Sequence, residues 1–255
     1  MNEANSITND TKLYGFIAEY AQQNRMSVTI NRLFKADGSH AMMIPMNIRE
    51  DDFYFTVSNM KKSHVNGAMI GEEYRDAVIE LLDTRTDLVQ KTKFCDFVRV
   101  EDLQLKPLSI TPRAIKEKAE SLHVKKIAIM GATPLAHALA LELRTFECAF
   151  FSPYIEELMQ LSEAVGIDID INRMATAMNI DFSSYDLLID ASDEEDFSMI
   201  SALAKRVMSL HVNKTESLKM KALECGSEYI DYEMMLETLS ATAYTILTQE
   251  KSNEK

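Results

Sequence analysis

Residues 125–143, KKIAIMGATPLAHALALEL, hold the tightest constraint on what this 255-residue chain can become. An apolar, strand-like run ends at Gly131, and an apolar helical run begins at Pro134. A buried strand that feeds a helix through one glycine is the first half of a β-α-β unit, and such units build parallel sheets with helices on their faces. Nucleotide-binding folds place their glycine-rich phosphate loop at the same point. Only one glycine stands here, with Pro134 close behind it. The stretch reads as a dinucleotide site, a reduced form of one, or a plain strand and helix.

The same alternation runs through the whole chain. In the first part, strands are expected at KLYGFIA (12–18), HAMMIPMNI (40–48) and HVNGAMI (64–70), with Pro45 marking an edge or a bend. Helices are expected at 26–37, at 50–63 behind an acidic start, and at 72–86 with Ala77, Val78, Leu81 and Leu82 on one face. Residues 94–110 read as an extended segment or a short strand pair. Pro107 and Pro112 then punctuate the chain, and the boundary falls at 105–112. The expected domains are 1–108 and 109–255, with the closing helix 232–249 free to pack back on the first.

The second part opens with a helix at TPRAIKEKAESLH (111–123). Strands are expected at KKIAIMGA, ECAFFS, IDIDI, YDLLIDAS, MSLHV and SEYID. Helices are expected at PLAHALALELRT, PYIEELMQLSEAVG, DFSMISALAKRV (196–207) and TESLKMKALECG. The fold class is therefore α/β: a smaller α/β domain followed by a Rossmann-like, doubly wound parallel sheet. A ligand of such a sheet sits at the carboxyl ends of its strands.

Bulk properties exclude several functions. A net charge of −13 repels nucleic acid and anionic membranes, so neither is an expected partner. No apolar run approaches the ~18–20 residues of a membrane span. The polar start MNEANSITNDTK has no secretory pattern, and a cytoplasmic location is expected. Cys95, Cys148 and Cys225 are odd in number and scattered, which points to reduced thiols and no metal site. Seven glycines in the whole chain leave few loops in which bare backbone can approach a phosphate.

Three stretches carry a resemblance. NGAMIGEEYRDAVIELLD (66–83) resembles a G-A-N-V-T-I-P-x-K-E-A-V segment and the helix end that follows it. KLYGFIA resembles an opening strand, and the run from Val212 to Leu247 resembles a closing helix, strand and Met-containing helix. In that order and spacing they resemble the shikimate dehydrogenase family over nearly the whole chain. The resemblance implies an N-terminal domain for shikimate and a C-terminal domain for NADP.

Carried over residue by residue, it implies replaced chemistry. The family's catalytic Lys falls on Arg75, whose guanidinium keeps its proton and is a poor general acid or base. The Asn, Thr and Pro of that motif fall on Met69, Gly71 and Glu73. The Ser-x-Ser pair that holds the substrate carboxylate falls near Asn24 and Met26, with Ser27 beside them. The Asn-Thr-Asp triplet falls on Ser109, Ile110 and Thr111, and the late Gln on Leu239. The phosphate loop falls on Gly131, Ala132, Thr133, Pro134, Leu135 and Ala136. There Thr133 and Pro134 add bulk, and Pro134 removes an N–H. The Arg that meets the 2′-phosphate has no counterpart in Ser152, Pro153 and Tyr154. Cofactor residues expected to persist as vestiges are Gly131, Ala132, Thr133, Ala136 and Ser152.

Each candidate also has a plainer reading. Arg75 with Lys61 and Lys62 is a carboxylate pocket or a salt-bridged helix start. His64 is a proton shuttle or a polar strand end. Tyr74 and Tyr20 stand at a cleft or pack. Glu72 and Glu73 do acid/base work or start a helix, and His137 is a packed histidine. The run DASDEED (190–196) repels a phosphate-rich cofactor and otherwise caps a helix.

Three functions stay open: a protein of this fold that has lost the reaction and binds NADP weakly or not at all, an oxidoreductase with reassigned groups, or another two-domain α/β protein. Whether the chain is an enzyme is undecided. A small carboxylate is the expected ligand, and a protein partner or a homodimer is open.

Overall fold

The protein was studied as a computed structural model, which describes residues 10–175, 178–211 and 216–249. Residues 212–215, which open the closing run of the resemblance, lie outside these. The chain forms two compact units. One holds the residues up to Thr86, Cys95–Ile110 and the chain from Leu236; the other holds Asp87–Phe94 and Thr111–Met235.

The first unit contains β1 (Lys12–Ala18), α1 (Met26–Ala36), β2 (Ala41–Asn47), α2 (Glu50–Met60), β3 (Val65–Ile70) and, after a 3-10 turn at Glu72–Tyr74, α3 (Arg75–Leu81). Two strands follow, β4 (Phe97–Glu101) and β5 (Gln104–Leu108), separated from α3 by α4 (Asp87–Thr92) of the other unit. The sheet order is β2-β1-β3-β4-β5. Strands β2, β1 and β3 are parallel, and β4 and β5 are antiparallel. Pro45 lies in edge strand β2, where a missing N–H costs the sheet least. On α3 the buried face is Val78 and Ile79, with Leu82 after them, rather than one through Ala77 and Leu81.

The second unit contains α5 (Thr111–Ser121), β6 (Lys126–Met130), α6 (Pro134–Glu142), β7 (Glu147–Ser152), α7 (Ile155–Val165), β8 (Asp170–Arg173) and β9 (Ile180–Asp181). It continues with β10 (Leu187–Asp190), β11 (Ile200–Ala202), β12 (Arg206–Ser209), α8 (Ser217–Glu224), β13 (Glu228–Ile230) and the start of α9 (Tyr232–Gln249). Its main sheet runs β13-β12-β10-β6-β7-β8, all parallel. Numbered along the chain, that is the 3-2-1-4-5-6 order of the Rossmann fold read from the other side. The central strands β6 and β10 are buried on both faces, which is why they read as unbroken apolar runs. The rest of α9 belongs to the first unit, where Tyr244 packs 5.7 Å from Phe34 of α1 and Ser240 bonds Met26 Sδ at 3.3 Å.

Several expected elements are corrected. Residues 196–207 form no helix. Asp196 accepts the Ser198 amide at 2.8 Å, a local turn that competes with helix formation, and β11 then pairs with β9. Phe197, Met199, Ile200 and Leu203 are buried against Phe151 and Phe182. Their spacing resembled a helical face. The acidic run 190–196 consequently caps no helix. The strand expected at 167–171 begins at Asp170, and α4 and β9 are too short to stand out in the sequence.

Candidate functional site

Each unit carries its own set of candidate residues. In the second unit they lie at the carboxyl edge of β6. Gly131 has φ +101°, and a Cβ there would stand 2.2 Å from the Ala191 carbonyl oxygen. Only glycine satisfies both conditions. Its amide bonds the Phe151 carbonyl at 2.8 Å, and the Ala191 amide bonds the Met130 carbonyl at 2.9 Å, so the ends of β6, β7 and β10 are tied together.

Pro134 occupies the first turn of α6, where its missing N–H would have had no intrahelical acceptor. Thr133 is at the N-cap position, yet its hydroxyl donates to the Ala191 carbonyl at 2.8 Å and caps nothing. The Leu135 and Ala136 amides of that first turn therefore lack both an intrahelical and a side-chain acceptor.

A cavity of about 310 Å³ opens in front of this turn. Gly131, Ala132, Thr133, Pro134 and Ser152 line it, so Pro134 does not close the cleft. Ala136 is buried behind it. Ser152 is buried and its hydroxyl accepts the Tyr154 amide at 3.1 Å. The remaining walls include Glu157, Asp193 and Glu194, and no Lys or Arg among the described residues lines the cavity. The acids at 193 and 194 were visible in the DASDEED run. Glu157 carried no signal, because acids in a first helical turn are ordinary. His137 lies against the Lys91 and Ala132 carbonyls; burial lowers its pKa, and those two contacts partly oppose the shift.

A second cavity of the same unit, about 220 Å³, opens at the ends of β10 and β12. Buried Asp190 there accepts the Ser192 hydroxyl at 2.7 Å and the Ser209 hydroxyl at 3.2 Å. Ser209 also bonds Tyr229, whose pKa is raised by burial and then by the nearby Asp190, Asp231 and Glu216.

In the first unit, Asn24 precedes Arg25, the N-cap residue of α1, and accepts the Met26 amide at 2.8 Å. Ser27 stands one residue further, 3% exposed, and its hydroxyl makes no hydrogen bond among the described residues. A buried hydroxyl without a partner is costly, so this one marks where a ligand acceptor or donor would be stabilising. Met69 is buried on β3, and Leu239 is buried on α9 next to Ser240. Thr111 is buried at the start of α5 and belongs to the other unit.

Arg75 begins α3, and its charge acts on the buried Cys95 thiol, which also feels Asp96. Burial is the main cause that pushes that thiol up to about 12. Asp96 is fully buried and accepts the Ile110 amide at 2.7 Å. Cys95 and Asp96 gave no signal in the sequence; the fold brings them to Arg75. Lys61 spends its charge on Asp83 at 2.7 Å, and Glu73 accepts the Glu19 amide at 2.7 Å. Tyr74 stacks on Phe53 at 4.4 Å and donates to the Ile48 carbonyl. His64 is exposed.

No group of His, Cys, Asp and Glu side chains among the described residues could hold a metal ion, and no helix among them is long and apolar enough to cross a membrane.

No protein-family model matches the chain. It is 24% identical, over 97% of its length and 94% of the relative's, to a shikimate dehydrogenase (NADP(+)) of Pyrococcus furiosus. A crystal structure of a shikimate dehydrogenase in complex with NADP+ superposes with a TM-score of 0.74 at 19% identity, covering 98% of this chain and 94% of that one. A shikimate 5-dehydrogenase from Listeria monocytogenes, in complex with shikimate and NAD, gives 0.73 at 15% identity over 98% and 95%. These likenesses show the fold: the chain has the α/β architecture of the shikimate dehydrogenases and resembles them along nearly its whole length.

Proposed function

We propose that this protein is a shikimate dehydrogenase-like binding protein, cytoplasmic, that has lost NADP-dependent dehydrogenation and retains a site for a small carboxylate in its first unit. The observation that carries the reading is Arg75. Where the resemblance implies a lysine that passes a proton, a guanidinium stands whose charge acts on buried Cys95 beside Asp96. Arginine cannot give up its proton at a working pH, so this position can hold a charge but not shuttle one.

Other features support the same reading. Among the described residues, the cleft in the second unit has three acidic side chains and no basic one in its walls, which weakens binding of a cofactor as phosphate-rich as NADP or abolishes it. The unpartnered hydroxyl of Ser27 stands in the first turn of α1, where amides and dipole favour an anion. A regulatory role, with a protein partner or a second copy, is compatible with such a binding protein.

Two measurements test the proposal. Oxidation of shikimate with NADP or NAD is expected to stay at background, and sustained turnover would refute the loss of chemistry. A thermal-shift series of small hydroxy acids is expected to raise the melting midpoint for at least one carboxylate and not for its methyl ester.

A second reading, an oxidoreductase of another hydroxy acid, draws on Gly131 and the uncapped start of α6, which keep the backbone of a dinucleotide loop. Turnover with a different hydroxy acid in the same assay would favour it.

A further inference from the structure

Helices α1 and α2 of the first unit carry opposite charge on their exposed faces. Arg25, Val28, Arg32 and Lys35 recur at helical spacing, so they form one stripe along α1, and all four are exposed. The buried side of that helix holds Met26, Ile30 and Phe34. No acid occurs in α1, although the chain has 40 acidic side chains against 27 Lys and Arg. The stripe also works against its own helix. Arg25 stands at the N-cap, the positive end of the dipole, and Arg32 and Lys35 repel each other across one turn.

Helix α2 is the counterpart. It opens with Glu50, Asp51 and Asp52 and contains no Lys or Arg. Asp51, Asp52 and Phe55 share its exposed face. Phe55 is 75% exposed, the most of any large apolar side chain among the described residues.

Topology decides where the two faces lie. Helix α1 joins β1 to β2, α2 joins β2 to β3, and the sheet order is β2-β1-β3. The two crossovers step in opposite directions along parallel strands, so two right-handed connections cover opposite faces of the sheet. The first unit therefore presents cations on one side of its sheet and acids on the other.

We propose that these faces dock two copies of this chain head to tail, α1 of one copy against α2 of the next. Val28 and Phe55 supply the apolar centre, and Arg32 and Lys35 stand against Asp51 and Asp52. A pair leaves one face of each kind unused, because the two lie on opposite sides of the sheet, so association continues beyond a pair. Exposed charges attract modestly and are screened by salt, which makes the assembly weak and dependent on concentration. The inference concerns the exposed surface of the first unit and does not rest on the proposed function.

Sedimentation velocity of the full chain tests it. In about 50 mM salt the mean mass is expected to rise with concentration and to pass that of a dimer; in about 0.5 M NaCl it is expected to return to the monomer. Arg32→Glu and Phe55→Ala are each expected to weaken association about tenfold or more. Each variant keeps one intact face, so an equimolar mixture of the two is expected to form one-to-one pairs and nothing larger. Both residues are exposed, so the fold is kept, which circular dichroism checks. Arg144→Glu, at an exposed position after α6, makes the same change of net charge as Arg32→Glu and is expected to leave association unchanged. A monomer up to submillimolar concentration in low salt overturns the proposal. So does association that either variant leaves intact, a mixture that behaves as its components do alone, or an Arg144→Glu variant that weakens association as much as Arg32→Glu. Turnover of shikimate bears on the proposed function and leaves this interface untouched.

Discussion

Two strands that lead into candidate residues, β6 in the second unit and β3 in the first, are each followed by a glycine, for different reasons. Gly131 after β6 has a left-handed φ and a backbone carbonyl where its Cβ would be. Gly71 after β3 has φ −58°, an ordinary value, and is enclosed by the Glu73 carboxylate, Ala18 and the Ile17 carbonyl. At β6 the glycine is demanded by backbone geometry. At β3 the glycine is held by the packing of side chains around it. The turn in the second unit is fixed by its backbone, and the turn in the first by its neighbours.

The largest effect should come from comparing those glycines. Gly131→Ala forces a Cβ onto the Ala191 carbonyl at a φ that L residues avoid, and should cost about 3 kcal/mol or more. Gly71→Ala needs the flexible end of Glu73 to move and Ala18 to yield a little, and should cost about 1–2 kcal/mol. Urea unfolding followed by circular dichroism measures both. A Gly71 variant that loses more than the Gly131 variant would break the comparison, because it would place the stiffer turn in the first unit.

This contrast also explains what could be read from sequence. The strands and most helices were legible because burial on a sheet and on a helix imposes different periods, and each run held only one. The single glycine at 131 located the turn after β6 correctly. Residues 196–207 misled because Phe197, Ile200 and Leu203 repeat at helical spacing, although Asp196 turns the chain and the segment packs as loop and strand. In the candidate sites, Arg75 and Gly131 were visible because a motif position singled them out. Asp96, Cys95 and Glu157 were not, since no local pattern separates a buried acid or a cleft-facing one from any other. Only the fold brings Cys95 and Asp96 to Arg75, or Glu157 to Gly131.

A smaller, pH-dependent effect compares two carboxylates that secure the starts of strands. Asp186 in the second unit accepts the Lys125 and Lys126 amides at 2.9 and 3.0 Å, and Asp83 in the first accepts the Leu105 amide at 2.8 Å and the Lys61 ammonium at 2.7 Å. Both pKa values are lowered, that of Asp186 chiefly by its backbone bonds and that of Asp83 chiefly by Lys61. A lowered folded pKa means that the stabilisation is complete above the unfolded value, about 3.9, and disappears as pH falls through the folded one. Each Asp→Ala variant should lose about 1 kcal/mol at pH 7 and converge on the parent protein well below pH 3.9. Adding 0.5 M NaCl should shrink the Asp83 difference more than the Asp186 difference, because only Asp83 relies on an exposed ion pair. Equal salt sensitivity would mean that the amide bonds, not the ammonium, hold Asp83 in place.

The smallest expected change has the opposite sign, which makes it the sharpest test of the first unit. Ser27 is buried in the first turn of α1 with a hydroxyl that no described group satisfies. Replacing it by alanine removes a polar group that pays a desolvation penalty and leaves a better helix former. Without ligand, Ser27→Ala should therefore match or exceed the parent stability, by up to about 1 kcal/mol. A hydroxyl retained at a cost to folding implies use in another state. The same variant should lose most of the midpoint rise that a carboxylate ligand gives the parent. If Ser27→Ala instead destabilises the free protein by more than about 1 kcal/mol, the hydroxyl has a structural partner and the carboxylate site loses its main support. The start of α1 would then be packed core, with no ligand pocket there.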